Sequence, residues 1–194
     1  VVIPAKFEVT ADGNPNAVDA NSTVYKTAGE EFNVNINALN ADGVITDNFN
    51  AADIDLLNKF SLSHDLQAPT LADGGVNGVL ANEVVVNDFS AGQAVYKTSW
   101  NEVGIIKLKA NLASGGYLSH ISAIVGEKPN IGRFIPNHFK LISSNVFKEP
   151  KECSDFIYMG QSFTTNYVLE AQNILGGVTK NYTTSSGFAK GAID

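Results

Sequence analysis

Between Phe32 and Ala38 every second residue is apolar and each intervening one is asparagine: Phe32, Val34, Ile36 and Ala38 alternate with Asn33, Asn35 and Asn37. Successive side chains of an extended strand leave opposite faces of the pleat, so this stretch has one greasy side and one amide side. A helix would scatter the same residues around its circumference, and a half-buried strand is the conformation that sorts them. Ile106, Leu108, Ala110 and Leu112 alternate with Lys107, Lys109 and Asn111 in the same way, and Ala94, Tyr96, Thr98 and Trp100 mark a third strand. Phe60, Leu62 and Leu66 suggest a fourth, while Phe7 with Val9, Val44-Ile45, Val84 to Val86 and Leu118 to Val125 supply further runs. Turn residues separate them at Asp12-Gly13-Asn14-Pro15, Asn40-Ala41-Asp42-Gly43, Asp73-Gly74-Gly75 and Ser114-Gly115-Gly116, where positive φ is tolerated. Asn101-Glu102-Val103-Gly104 reads as a hairpin connection. Only Asn50 to Asn58 leans towards helix. Short strands at regular spacing imply an all-β, immunoglobulin-like sandwich.

The chain also repeats itself. Ile3-Pro4-Ala5-Lys6-Phe7 returns as Ile135-Pro136-Asn137-His138-Phe139, at an offset of 132. Ala28-Gly29-Glu30-Glu31-Phe32 returns as Met159-Gly160-Gln161-Ser162-Phe163, at 131, and Ala38-Leu39-Asn40 with the following Gly43-Val44-Ile45-Thr46 returns as Ala171-Gln172-Asn173 with Gly176-Gly177-Val178-Thr179, at 133. Order is kept while the offset drifts by two residues, as small loop changes produce. Tandem copies of one supersecondary unit are implied. The join is expected near Gly126 to Gly132, where Pro129 and the glycines should interrupt any ladder. Residues 1–126 then form a β-sandwich module, and residues 127–194 form the first half of a second, related one. Nine of the seventeen Phe and Tyr residues lie in that shorter part. A half-module so rich in aromatics must pack on the first module, borrow a strand, or continue in chain beyond Asp194. It should expose an unpaired edge or apolar groove unless something covers it.

Charge narrows the partners. A formal net charge of -7, with Arg133 as the one arginine, leaves no basic cluster to neutralise a phosphate backbone, so nucleic acid is not an expected partner. No apolar run approaches the eighteen or so residues a spanning helix needs. A single cysteine, Cys153, excludes an internal disulfide framework and a multi-cysteine zinc site.

Candidate chemistry is thin. Cys153 with His138 is the one conceivable thiol pair, but Glu149, Glu152 and Asp155 crowd it with acid, and a reactive thiolate needs an electropositive setting. Ser63-His64-Asp65 holds the three triad residue types, yet neighbours on a strand point to opposite faces; an outer-face strand segment is the reading preferred. His64, His120 and His138 lack metal-ligand spacing. Asp53 and Asp55, with Asp42, Asp47 and Asn48, offer oxygen ligands for calcium without the spacing of a known loop. Glu30-Glu31 and Glu149/Glu152 are acid pairs of the kind glycoside chemistry uses, but common on acidic surfaces. Trp100 and Tyr96 have the amphipathic character that stacks on sugars, although both sit on the apolar face of their strand. Asn21 and Asn181 open glycan-acceptor tripeptides. No catalytic, cofactor-binding or metal-binding residue is assigned, and no cofactor is expected.

One run of motifs resembles a known family. Gly132-Arg133-Phe134-Ile135-Pro136-Asn137-His138-Phe139, Cys153, Phe156 to Phe163, Ala171-Gln172-Asn173, Thr179 to Tyr182 and Phe188-Ala189-Lys190 are similar to a bacterial domain of unknown function. That domain is typical of MshQ-like proteins encoded with the mannose-sensitive haemagglutinin (MSHA) type IV pilus. Gly92-Gln93-Ala94 and Trp100 to Ala110 follow the same pattern. The resemblance implies an exported protein of the periplasm, outer membrane or cell surface of a Gram-negative bacterium, with no catalytic residues to carry over. The expectation is a non-enzymatic structural or adhesive module whose partners are other modules of the same protein or pilus-associated proteins. The alternative is a module that recognises carbohydrate or a pilus subunit.

Overall fold

The computed structural model describes residues 3–50, 60–81, 89–118, 122–147, 159–160, 162 and 164–189. They form an all-β structure of nine strands: β1 (Lys6–Ala11), β2 (Lys26–Thr27), β3 (Glu31–Leu39), β4 (Phe60–Ala68), β5 (Gln93–Ser99), β6 (Gly104–Leu112), β7 (Ile124–Ile135), β8 (His138–Phe147) and β9 (Thr164–Gln172). One 3₁₀ turn, Leu71–Asp73, follows β4, its N-terminus capped by the Thr70 hydroxyl accepting from the Asp73 N–H. The runs Asn50 to Asn58, apart from Asn50 itself, and Val84 to Val86 lie outside the described residues.

Three sheets result. β1-β3-β5 is one, β2-β7-β6-β4 the second, and β8-β9 a separate two-stranded ladder. The first two stack as a β-sandwich because the alternation of each strand turns its apolar residues inward. Phe32, Val34, Ile36 and Ala38 of β3 face Leu62 of β4 and Ile106, Leu108, Ala110 and Leu112 of β6 in one buried cluster. At one end Phe7, Phe49, Phe60 and Phe89 meet edge to face or stacked, with centroids 4.9–5.9 Å apart. At the other Trp100 meets Phe134 at 5.2 Å. Edge-to-face pairing suits the ring quadrupoles and adds to the burial of large apolar area.

The outward amides of β3 do not stand free. Asn33 and Asn35 donate to the Asp12 carboxylate at 3.2 and 2.6 Å, and Asn37 donates to Glu8 at 2.9 Å. On the second sheet Lys107 lies 3.1 Å from Glu127 and 3.5 Å from Asp65, and Lys109 pairs with Asp65.

Two local expectations are corrected. Asn101 to Gly104 is not a hairpin: β5 pairs with β3, whereas β6 pairs with β4 and β7, so this segment crosses from one sheet to the other. Burial of Trp100 at the start of the crossing and of Val103 and Ile105 beyond it drives the chain through the core edge. Nor do Pro129 and the glycines end the ladder. β7 runs through Gly126 to Gly132, and its pairing with β6 shifts register past Pro129 and again beside Gly132. Polar groups released at the first shift are caught elsewhere: the Asn130 N–H donates to Gln67 Oε1 at 2.7 Å and its carbonyl accepts from Asn14 Nδ2 at 3.1 Å. Proline at such an irregularity costs no ladder bond. Gly126 is needed for contact with β1, since a Cβ there would lie 2.2 Å from the Phe7 carbonyl oxygen.

From His138 to Leu141 the β8-β9 ladder repeats the β1-β3 ladder pair for pair; beyond Leu141 a bulge shifts its register, which the β1-β3 ladder lacks. Lys6 pairs with Leu39 and Phe7 with Ala38; His138 pairs with Gln172 and Phe139 with Ala171. Ala5 N–H reaches the Leu39 carbonyl at 2.7 Å, and Asn137 N–H reaches that of Gln172 at 2.8 Å. In the following turn Asn40 Oδ1 accepts from the N–H groups of Asp42 and Val44, as Asn173 Oδ1 does from Leu175 and Gly177. Thr46 closes the first turn with two bonds to the Ala38 carbonyl, and Thr179 closes the second with two to Ala171. Gly43 and Gly176 hold the same left-handed φ of 80°. Even the ring contact recurs, Phe7 with Phe49 at 5.9 Å and Phe139 with Tyr182 at 5.4 Å.

Burial does not recur. Phe7, Val9, Val34 and Ile36 are buried in the sandwich, with Phe7 3% exposed. Their counterparts Phe139, Leu141, Tyr167 and Leu169 are exposed, Phe139 by 53%. The second module has its first sheet begun and no described sheet facing it.

Candidate functional site

The polar chemistry that the fold does concentrate lies where the second module meets the first. Glu102, in the crossing between sheets, is buried beside Val103. Its Oε1 accepts the N–H of Val103 at 2.8 Å and of Asn181 at 3.1 Å, and its Oε2 accepts that of Lys180 at 2.8 Å. A carboxylate removed from water requires such donors. Asn181, also buried, completes the junction. Its Oδ1 accepts from Val76 N–H at 2.7 Å, and its Nδ2 donates at 2.9 Å to the carbonyls of Val76 and Val103. Asn173 Nδ2 donates to the Asn101 carbonyl at 3.1 Å, and Ile174 N–H to the Ala28 carbonyl at 2.9 Å. Ile174 packs against Gly29, where a Cβ would come within 2.7 Å of its Cγ2. Around this network Ala17, Val103, Ile105 and Phe188 form a small second core, with Tyr182 against it. A cleft of about 540 Å³ opens beside Phe188, lined in part by Asp19, Thr70, Asp73 and Ser185. The arrangement holds two segments of chain in one fixed relation.

The sequence-derived candidates scatter. His64 points into the core, 6.4 Å from Trp100 between ring centroids, whereas Asp65 faces outward to Lys107 and Lys109. Ser63-His64-Asp65 is therefore split across the sheet as strand geometry requires, with His64 on the inner face rather than along an outer-face segment. His138 lies within hydrogen-bond distance of Asn137 and Gln172; Cys153 and His120 fall outside the described residues, as do Asp53, Asp55, Glu149, Glu152 and Asp155. Asp42, Asp47 and Asn48 are all in exposed loop positions. Among the described residues no three His, Cys, Asp or Glu side chains stand together as a metal site. Glu30 and Glu31 do not act as a pair: Glu30 binds Lys26 at 2.6 Å, and Glu31 binds Lys97 at 2.5 Å. The Lys26 hydrogen bond first, then that from Thr27 N–H, holds the Glu30 carboxyl below its ordinary range. Trp100 and Tyr96 are buried core residues and offer no ring face to a sugar. Asn21 is exposed, whereas Asn181 is sealed in the junction and its amide is inaccessible to glycan transfer in the folded chain.

Sequence reasoning missed the roles of Glu102 and Asn181. Glu102 lies in the stretch read as a hairpin, Asn181 stands out only as the start of a glycan-acceptor tripeptide and within a repeated motif, and their pairing across 79 residues leaves no periodic trace. Asn173 was within reach, because it repeats Asn40 in the motif at offset 133.

Among the described residues no helix is long and apolar enough to cross a membrane. No curated protein and no solved structure matches the chain. Models of two domains of one uncharacterised family do match: the second domain of DUF6701 over residues 3–99 and its third domain over residues 102–194. The division falls in the crossing beside Glu102, so the third-domain segment supplies β6 and β7 to a sandwich whose remaining strands come from the second. The chain belongs to the DUF6701 family and carries its second and third domains.

Proposed function

We propose that this chain is a non-catalytic structural or adhesive segment of an exported protein of a Gram-negative cell surface, of the MshQ-like kind encoded with the MSHA pilus. The observation that carries this reading is the buried Glu102–Asn181 junction, which welds a second β-module onto the first. Modules joined by a buried polar network keep a set orientation, which is what a spacer or presenting stalk requires. We read the strand order as immunoglobulin-like. β1-β3-β5 corresponds to strands A, B and E of that fold and β4-β6-β7 to C, F and G. Trp100 departs from that pattern, standing at the end of β5 and not on the C-equivalent strand.

The test is to express the full reading frame with an epitope tag in a piliated Gram-negative host and to fractionate the cells. The proposal expects tag in the periplasm, outer membrane or surface fraction, and tag confined to the cytosol would contradict it. A second reading, recognition of carbohydrate or a pilus subunit by the chain itself, draws on the exposed aromatics Phe139 and Tyr167. Glycan-array binding that disappears in Phe139→Ala and Tyr167→Ala supports that reading, and a blank array favours the spacer.

A further inference from the structure

In the first module the outer edge of β3 is not exposed: β5 lies on it from Gln93 to Ser99. The pairing starts where Ala38 N–H donates to the Gly92 carbonyl at 2.7 Å, with Gly92 in the left-handed region. The N–H groups of Ile36 and Val34 leave β3 on the same side by strand alternation. In the second module β9 repeats β3, and among the described residues it pairs with β8 alone. Gln172 faces β8, since its carbonyl accepts from Asn137 N–H. The N–H groups of Ala171, Leu169 and Tyr167 therefore leave β9 on the side that β5 occupies in the first module. The Thr179 clasp on the Ala171 carbonyl leaves that N–H at the mouth of the same groove. On the adjoining face Phe139, Leu141, Tyr167 and Leu169 are exposed.

We infer that the β9 edge is a strand-acceptor site whose occupant is an extended segment of β5's pattern: a glycine followed by apolar residues at alternate positions, entering antiparallel to β9. The pattern is the one that the first module holds in the same register, and pairing there would repeat on β9 the β3–β5 interface already built in the molecule. Main-chain bonds would supply affinity, and the apolar face would select the alternate side chains. Transposed by the repeat offset, the β5 residues Tyr96 and Ala94 fall opposite Tyr167 and Leu169, and Val95 falls on the outer side opposite Val168.

The experiment uses the whole chain and a labelled synthetic peptide with the sequence of Ser90–Trp100. Binding followed by fluorescence anisotropy should be saturable, and amide exchange should slow at Tyr167, Leu169 and Ala171 but not at Glu170 and Gln172. L169P should lose binding while keeping exchange protection in the Asn173–Gly177 turn, because the proline removes only an outward N–H. A peptide N-methylated at the positions of Ala94 and Tyr96, whose N–H groups face the acceptor, should fail to bind the unmodified protein, whatever the variant does. Absence of saturable binding overturns the inference. So do protection appearing anywhere other than β9, undiminished binding by the N-methylated peptide, or a chain dimer that closes the β9 edges on each other and excludes the peptide.

Discussion

Glu102 and Asn181, 79 residues apart, meet in a buried reciprocal contact. The carboxylate accepts the Asn181 main-chain N–H at 3.1 Å, while the Asn181 side chain donates to the carbonyl of Val103, the next residue along from Glu102. A buried donor or acceptor that loses its partner costs about 1–3 kcal/mol. Asn181→Ala strands the buried carbonyl of Val103 and removes two bonds to the more exposed Val76, so it should destabilise the chain by about that amount. Glu102→Gln places an amide donor against main-chain donors and should act in the same direction. Because both residues serve one network, the double variant should cost less than the two singles together, with a coupling of about 0.5–3 kcal/mol. Chemical denaturation of the four proteins measures it.

Phe7 and Phe139 occupy the same place in the repeat and differ only in what covers them. Phe7→Ala, in the aromatic core, should cost about 3–5 kcal/mol. Phe139→Ala should cost less than about 1 kcal/mol, as exposed positions do. Urea melts of both variants read the difference, and equal losses would mean that the β8-β9 ladder is as well covered as the β1-β3-β5 sheet.

Acid should weaken the surface of the second sheet. The hydrogen bond from Lys109, then the charges of Lys109 and Lys107, hold Asp65 below the ordinary aspartate range, as Lys26 and Thr27 do for Glu30. A carboxyl whose folded pKa is depressed adds stability above its unfolded pKa and loses it as pH falls through the folded one. Stability should therefore decline below about pH 4.5, where the unfolded carboxyls protonate. Both groups are well exposed, so each contributes less than about 1 kcal/mol. In Asp65→Asn the acid limb of a stability–pH curve should be shallower, and salt should reduce the contrast with the parent protein.

Base should act through Tyr25. Burial, then the charges of Asp12 and Glu30, push its phenol up to about 12. Its hydroxyl donates to the Asp12 carbonyl at 2.8 Å. A raised folded pKa means stability that is complete below the unfolded value near 10 and is lost as pH climbs through the folded one. Tyr25→Phe should flatten the alkaline limb of the stability curve between those values. A phenolate absorbance titration should lose one late-ionising tyrosine in the same variant.

Much of the fold was legible because it rests on a two-residue period. The Phe32 to Ala38 and Ile106 to Leu112 alternations became β3 and β6 with the expected faces inward. The repeat was legible for a different reason: the Asn40 and Asn173 turns need an amide acceptor, a left-handed glycine and a closing threonine at fixed spacing, and each leaves its letter. What escaped were relations that spacing does not encode. A crossing and a hairpin share the same short polar connection between two strands, and only the partners of β5 and β6 tell them apart. Pro129 looked like a terminator because its missing N–H is local knowledge. The side chains of Gln67 and Asn14 that repair the ladder are more than 60 residues away. Glu102 escaped for the same reason, since its donors come from the far end of the chain.

Residue-resolved amide exchange on the unmodified chain tests most directly whether β8-β9 is an unfinished copy of β1-β3. The account predicts slow exchange at Val34, Ile36 and Ala38, whose N–H groups face β5, and fast exchange at Tyr167, Leu169 and Ala171, with Glu170 and Gln172 protected by β8. Equal protection on both sides of β9 would contradict it, and so would exchange as fast at Gln172 as at Ala171.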